Sequence, residues 1–196
     1  MRNYIKVKSS DKFPMTLPEQ RKMSDTIWKE HIINYIQSYY KETSNEEIQK
    51  VIEKAKKRKP AKIERAICKH IKKWFRQNSI FLRQGFGFEL EPETEGEKEG
   101  FYDIKITHGF WNLQKSYFPF ECKNLGTSTL LNEYVFVDTK SKTDGGMYRY
   151  FIDKYAANQE FGGMIGFVLH KTNNSVIEQL IDKIENIYTN NKIGRL

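Results

Sequence analysis

The sequence lacks the cysteine patterns that metal-thiolate sites and disulfide frameworks use. Its two cysteines, Cys68 and Cys122, belong to no CxxC or Cys/His cluster, so we expect no zinc site and interpret both as small buried residues. A disulfide between them is left open, with nothing to favour it. The chain also lacks an apolar run of the roughly 18 residues that a membrane-spanning helix needs, and residues 1–8 lack the apolar stretch of a signal peptide. We therefore expect a cytoplasmic protein with no membrane partner.

Positive charge, in contrast, is in surplus. The 196 residues include 33 Lys and Arg against 25 Asp and Glu, which gives a formal net charge of +8. A surplus of this sign suits a polyanionic partner, because each phosphate that a protein neutralises releases counterions. Net charge bears on non-specific binding and not on fold. Charge alone therefore supports a nucleic-acid partner and incidental basicity about equally.

The first third of the chain is predicted to be an arm followed by helices. Pro14 and Pro18 disfavour helix in the residues that precede them, so residues 1–20 are expected to be irregular or partly extended. Ser24 and Asp25 resemble the N-cap of the first helix. Apolar residues then recur at spacings of three and four, the period of an amphipathic helix. The predicted helices span about residues 26–41, 44–58 and 61–77.

From about residue 80 the apolar residues recur at every second position, which indicates strands. The largely polar stretch over residues 127–146 carries only a short apolar island, at 134–137. Strands connected in this way indicate an α/β fold with a mixed sheet flanked by helices. Residues 1–60 are interpreted as an arm and helical extension, and residues 61–196 as the core domain. Strands are predicted over about 86–90, 102–107, 117–123 and 164–169, and helices over 147–158 and 176–188.

Three polar residues stand out on two of these strands. Alternate residues of a strand point to the same face, so Asp103 lies opposite the apolar residues of the second strand. Glu121 and Lys123 point together, away from the apolar residues of the third strand. If the strands are neighbours, the three side chains converge beside a hydrophobic core. The opposite faces consist of Tyr102, Ile104 and Ile106 in the second strand and of Phe118, Phe120 and Cys122 in the third.

Such a spot has the chemistry of phosphodiester hydrolysis. Two carboxylates supply hard oxygen ligands for Mg²⁺ or Mn²⁺, and the backbone carbonyl of Cys122 is a further candidate ligand. The metal would polarise a phosphate and lower the pKa of a bound water. Lys123 would orient that water, help to deprotonate it or stabilise the developing charge. The alternative is a solvated strand face on which Glu121 and Lys123 have a cross-strand partner.

These residues resemble the motif of the PD-(D/E)XK superfamily of restriction-endonuclease-like nucleases. Asp103 matches its first acid, and Glu121-Cys122-Lys123 matches its E-x-K half. The predicted element order over residues 61–169 is similar to the αβββαβ core of that superfamily. The resemblance covers about the last two-thirds of the chain. Two features depart from the pattern, since Tyr102 replaces the proline that often precedes the first acid, and Pro119 falls inside the strand of Glu121.

The resemblance implies further site residues. Members of the superfamily often add an acid from the first core helix, for which Glu64 is the candidate metal ligand. The alternative is an edge position from which Glu64 reaches water or a lysine. Glu89, Glu91 and Glu93 are other acids, in or beside a turn that is expected to be solvated.

Phosphate contacts are predicted from a basic set that follows the motif. Gly145 and Gly146 would let the backbone approach a phosphate at a helix N-terminus, with loop flexibility as the alternative. Arg149 would contact a nucleic-acid backbone or brace the site. The predicted nucleic-acid-binding residues are Lys105, Lys140, Lys142 and Arg149.

The resemblance thus implies a Mg²⁺-dependent endonuclease with a restriction-endonuclease-like core and a helical N-terminal extension. The expected substrate is DNA, in restriction, repair or anti-phage defence, and a homodimer that cuts both strands is implied by the resemblance alone. One alternative is a binding module that keeps the fold without cleaving. Another is a helical interaction protein that docks through a basic run, namely Lys54, Lys56, Lys57 and Lys59.

Overall fold

The computed structural model describes the chain in eight stretches, within which seven helices and four strands lie. Among these residues, no helix has both the length and the apolar character that crossing a membrane requires. The described stretches are 17–58, 63–92, 101–109, 117–126, 128–135, 146–151, 161–169 and 173–191. The elements are α1 (Leu17–Glu42), α2 (Asn45–Arg58), α3 (Ile63–Gln77), α4 (Ser79–Arg83), β1 (Phe86–Leu90), β2 (Ile104–His108), β3 (Phe118–Leu125), α5 (Ser128–Val135), α6 (Tyr148–Phe151), β4 (Gly163–Val168) and α7 (Asn173–Asn191).

The four strands form one mixed sheet in the order β1-β2-β3-β4. The pairs β1–β2 and β2–β3 are antiparallel, whereas β3 and β4 are parallel. Parallel neighbours require a crossover connection, and here the crossover carries α5 and α6. The predicted α/β class and the four predicted strands are therefore confirmed, although β2 begins at Ile104 and not at Tyr102.

The faces of β3 separate as the alternation predicts. Phe118, Phe120 and Cys122 are buried in the main core, which also contains Ile71 and Phe75 of α3. On the other face, Leu125 belongs to a second cluster, formed with residues of α5 and α7. Helices thus cover both faces of the sheet. The layer that contains α3 packs on Phe118, Phe120 and Cys122, which alternate with Glu121 and Lys123 along β3.

Helices α1 and α2 contribute to the same core as α3 and the sheet. Ile32 of α1 and Ile52 of α2 are almost completely buried there. Tyr39 Oη lies 3.0 Å from His70 Nδ1, which links α1 to α3. The helical extension therefore packs on the core, and the division of the chain at residue 60 stays a prediction.

The start of α1 differs from the prediction. The helix begins at Leu17, so Ser24 and Asp25 lie within it and do not form its N-cap, and an arm extending to residue 20 is wrong for its last four residues. Pro18 is the second residue of the helix, where its missing N–H is tolerated because the first turn has no intrahelical acceptor for it. Residues 1–16 lie outside the described part.

Two helices were not predicted. Helix α5 ends in part of the apolar island, and Leu131, Tyr134 and Val135 bury one side of it against Leu125. Helix α4 is a short turn whose N-cap, Asn78, accepts hydrogen bonds from two backbone amides through its side chain. Of the predicted helix over 147–158, the structure describes Tyr148–Phe151 as helical, and residues 152–160 lie outside the described part.

The core makes a direct prediction about stability. Phe75 is fully buried, with its ring 4.7 Å from the ring of Phe81 and 4.8 Å from that of Phe88. Replacing Phe75 with alanine leaves a cavity, so we expect the free energy of unfolding to fall by about 3–5 kcal/mol. Leu82→Ala is the control, because Leu82 is exposed. Urea unfolding would measure both, and equal losses would contradict the assignment of the core.

Candidate functional site

The predicted site lies along a part of β3 that β2 does not cover. Ile104 is the last residue of β2 toward this end and pairs with Phe120, whereas β3 continues to Leu125. Backbone amides of a strand point alternately to its two neighbours. Those of Cys122 and Asn124 consequently point to the side on which β2 has ended.

Two carboxylates occupy this open edge. Asp103, at a bend just before β2, accepts a hydrogen bond of 2.6 Å from the Cys122 amide through Oδ2. Glu64, in the first turn of α3, accepts a 3.2 Å hydrogen bond from the Asn124 amide through Oε2. The two carboxylates therefore accept hydrogen bonds from β3 where the backbone of β2 no longer supplies acceptors. In each carboxylate one oxygen accepts this hydrogen bond, which holds the side chain against β3.

Lys123 lies between these acids and Glu121. Its Nζ is 2.6 Å from Oε1 of Glu121, donates a 3.0 Å hydrogen bond to the carbonyl oxygen of Cys122 and lies 3.7 Å from Oε1 of Glu64. The Glu121 side chain is only 2% exposed, and that of Lys123 is 20% exposed. The structure thus brings together Glu64, Glu121, Lys123 and the Cys122 carbonyl.

Arg149 reaches the same carboxylate from α6. Its Nη1 lies 3.0 Å from Oε1 of Glu121. Tyr150, the next residue, donates a 2.7 Å hydrogen bond to the Gly163 carbonyl and so holds α6 over the start of β4. Of the two roles predicted for Arg149, bracing the site corresponds to this contact.

The charges in the site shift one another's ionisation. Burial, followed by the negative charge of Asp103, raises the pKa of Glu121 to about 7 and outweighs Lys123 and Arg149. The pKa of Glu64 is raised by burial and by Asp103. Burial acts to lower the pKa of Lys123, but the negative charges of Glu121 and Glu64 prevail, and the net pKa is raised. Lys123 is therefore a firmly charged ammonium among carboxylates.

The donor set fits a hard cation chemically, although its present arrangement is closed. Carboxylate and carbonyl oxygens are the ligands that Mg²⁺ and Mn²⁺ prefer. Within the described stretches, no group of three or more His, Cys, Asp or Glu side chains is arranged to hold a metal ion. Two of the acids bond to backbone amides, and Glu121 is drawn to Lys123 and Arg149. An ammonium therefore stands where these oxygens meet.

A small cavity of about 120 Å³ opens beside Asp103 and Glu64. Arg65 and Glu91 also line it and form an ion pair of 2.5 Å. Arg65 was not among the predicted site residues. Its position next to Glu64 is the one sequence signal for it, because its partner Glu91 lies 26 residues along the chain, just after β1. Cys68 lines the same cavity, and both cysteines are buried free thiols.

The remaining predicted residues lie apart from this cluster or outside the described part. Lys105 Nζ is 4.4 Å from the ring centroid of Tyr117, a cation–π contact. Gly146 has a φ of +47°, and a Cβ there would lie 1.9 Å from the Tyr134 carbonyl oxygen. This glycine therefore allows close packing on the end of α5 and brings α6 over the sheet. Lys140, Lys142, Gly145 and Glu93 lie outside the described residues.

Comparison with known proteins adds no relative to this description. No protein-family model matches the chain, and neither the curated proteins nor the solved structures yield a match. Any function of this chain therefore has to be inferred from the geometry and chemistry of the site itself.

The raised pKa of Glu121 predicts a pH dependence of stability. The pKa of Glu121 is about 7 in the folded state, against an ordinary value of 4.5. Between these two pH values Glu121 therefore keeps a proton in the folded protein that it loses in the unfolded chain. Stability from this group is present below about pH 4.5 and is lost as the pH rises through 7, with a slope of at most about 1.4 kcal/mol per pH unit. In chelator, we expect Glu121→Gln to flatten the fall in unfolding free energy between these pH values. Glu133→Gln, an exposed control, should keep the wild-type slope, and unchanged slopes in both variants would contradict the shift.

Gly146 predicts a second effect on stability. In Gly146→Ala the new Cβ meets the Tyr134 carbonyl at a positive φ, and we expect a loss of about 1–3 kcal/mol in unfolding free energy from overpacking and backbone strain. Gly109→Ala is the matched control, because a Cβ at Gly109 meets nothing within 4 Å. Chemical denaturation of both variants measures the difference. A stable Gly146→Ala protein would argue against the close packing of α6 on α5.

Proposed function

We propose that this protein is a metal-dependent nuclease that hydrolyses phosphodiester bonds, with DNA as the expected substrate. The observation that carries the proposal is the meeting of Glu121, Glu64 and the Cys122 carbonyl around Lys123 at the open edge of β3. The proposed fold is a restriction-endonuclease-like core, with Asp103 and Glu121-Cys122-Lys123 in the places of the PD-(D/E)XK motif.

In the proposed site, oxygens of Asp103, Glu64, Glu121 and the Cys122 carbonyl would hold Mg²⁺, for which Mn²⁺ can substitute. The ion would supply Lewis-acid polarisation of the scissile phosphate and a lowered pKa for an attacking water. Asp103 and Glu64 are held in advance by the amides of Cys122 and Asn124. These two bonds would fix the orientation of the Asp103 and Glu64 carboxylates before an ion binds.

The two cations, Lys123 and Arg149, have different roles in this proposal. Lys123 is a compact charge on a flexible stem, and it would orient the attacking water or contact a phosphate oxygen. Arg149, held on α6, would keep the Glu121 carboxylate in position through its 3.0 Å contact. The two cations would thereby act on different partners, one on the substrate and one on a ligand.

The net charge of +8 agrees with a nucleic-acid substrate, because phosphate contacts dominate such affinity. Lys105, Lys140 and Lys142 are proposed to contact the backbone outside the cleavage site. A homodimer would cut both strands of a duplex. Restriction, repair and anti-phage defence are the settings in which such an activity is expected.

A binding module without cleavage is the second candidate, and one observation favours it. Across the described stretches the acidic side chains do not form an open metal-binding group, so the closed cluster also suits a purely structural role. Such a protein would bind nucleic acid whether or not Glu121 and Lys123 are intact.

Nicking of supercoiled plasmid in Mg²⁺ tests the proposed activity. Because Glu121 is a proposed ligand and Lys123 a proposed catalytic cation, we expect Glu121→Ala and Lys123→Ala each to lower the nicking rate at least about 100-fold. Chelation of the metal should abolish nicking. The controls are Glu53→Ala and Lys50→Ala, which remove the same charges from exposed positions on α2 and should keep the wild-type rate.

Two outcomes would contradict the proposal. Nicking that survives both site substitutions would place the activity elsewhere. Binding of DNA and RNA without cleavage of either, in the wild type as in the variants, would identify the binding module instead.

A further inference from the structure

The ammonium group of Lys123 lies among oxygens that the proposed function assigns to a divalent cation. Its distances are 2.6 Å to Glu121 Oε1, 3.0 Å to the Cys122 carbonyl oxygen and 3.7 Å to Glu64 Oε1. Three of the four proposed ligands therefore already surround a positive charge that the chain itself supplies. The side chain is 20% exposed, so this charge is largely enclosed by the site.

We propose that in the metal-free protein the Lys123 ammonium holds the place of the divalent cation, and that the two exchange at this position. Binding of the cation would require the ammonium to leave, and loss of the cation would let it return. The inference rests on the proposed function, because it takes these oxygens to be the metal ligands.

The chemistry of the oxygens supports mutual exclusion. An ammonium and a divalent cation are both satisfied by carboxylate and carbonyl oxygens. Mg²⁺ binds such oxygens at about 2.0–2.1 Å, so it would lie close to an ammonium that bonds to the same Oε1 and carbonyl. Two positive charges held this closely in a mostly enclosed site would also repel strongly, since water screens them little. The ammonium and the divalent cation should therefore exclude each other from this position.

The side chain of Lys123 is suited to such an exchange. It carries a point charge on a flexible four-carbon stem, whereas the guanidinium of Arg149 is a rigid planar fork. An ammonium displaced by the cation stays tethered to β3 next to the site, where a phosphate oxygen of a substrate is its natural partner. Cation binding would thus both complete the ligand set and release a positive group for the substrate.

The same exchange accounts for the closed arrangement of the acids. Without a lysine at the centre, Glu64, Asp103 and Glu121 would place three negative charges together. Burial, and after it the negative charge of Asp103, raises the pKa of Glu121. An internal cation keeps such a cluster together until a metal ion replaces it.

Metal affinity tests the exchange without reference to cleavage. Lys123→Met keeps an apolar stem of similar length and removes the competing charge. If the lysine-displaced state makes up about 10% or less of the free protein, the variant should bind Mn²⁺ at least about tenfold more tightly than the wild type. Calorimetric titration with Mn²⁺ and with Mg²⁺ measures this. Equal or weaker binding by the variant would overturn the inference.

Arg149→Met is the matched control for general electrostatics. It removes a positive charge 3.0 Å from the same Glu121 oxygen but leaves the Lys123 ammonium in its place. Exchange predicts a clearly larger gain in affinity for Lys123→Met than for Arg149→Met. Equal gains would mean that the charge acts at a distance, and they would overturn the proposal.

The wild-type protein allows a direct measurement that needs no variant to be stable. In the presence of chelator, the Lys123 ammonium should give an NMR signal whose protons exchange slowly with water. The signal is assigned by its absence in Lys123→Met or, if that variant does not fold, in Lys123→Arg. Added Mg²⁺ should remove this protection at the midpoint of metal binding. An unchanged resonance at saturating Mg²⁺ would refute the exchange alone.

The outcomes separate the two proposals. Metal binding with displacement of the ammonium, but without cleavage of any nucleic acid, would support the exchange and refute the nuclease. Failure of wild type and Lys123→Met alike to bind Mg²⁺ or Mn²⁺ would overturn both.

Discussion

The site depends on the point at which β2 ends, because among the residues that the structure describes the rest of β3 has no paired strand on that side. β3 extends beyond the end of β2, so the amides of Cys122 and Asn124 point to a side without a strand partner. Buried amides that find no acceptor cost folding free energy, and here the carboxylates of Asp103 and Glu64 accept them. The geometry of the sheet thereby brings two acids, from separate elements, to one edge and fixes the direction from which each approaches.

The electrostatics of the site follow from this arrangement. Asp103, held at the edge of β3, brings negative charge to Glu121, whose side chain is almost fully buried. Burial and Asp103 raise the pKa of Glu121 even though Lys123 and Arg149 both contact it. Removing either cation would leave buried negative charge less compensated, which is more costly than replacing a whole ion pair with apolar groups. The cluster is consequently sensitive to any change of charge.

The sequence predicted what local backbone geometry controls and missed what the tertiary structure adds. Alternation placed Glu121 and Lys123 opposite the core face because the period of two holds for any strand. It did not predict that Asp103 lies at a bend and bonds within the sheet, since this depends on where β2 ends. Pro119 proved compatible with β3 because pairing with β4 begins only at Phe120, so no partner there needs its missing N–H. Glu64 was predicted as a metal ligand or an edge residue, and its hydrogen bond to an amide 60 residues away has no sequence signal.

Capping the edge of β3 explains only part of the cluster. Asp103 and Glu64 meet that need through the two amides, whereas Glu121 caps neither of them and contacts the cations Lys123 and Arg149 instead. A buried ion pair is weak evidence for stability, because well-packed apolar residues often stabilise a fold as much or more. The fold alone therefore gives no reason to bury Glu121 with two cations. The site proposed above, in which the carboxylate would hold a divalent cation and the ammonium would contact the substrate, would give one.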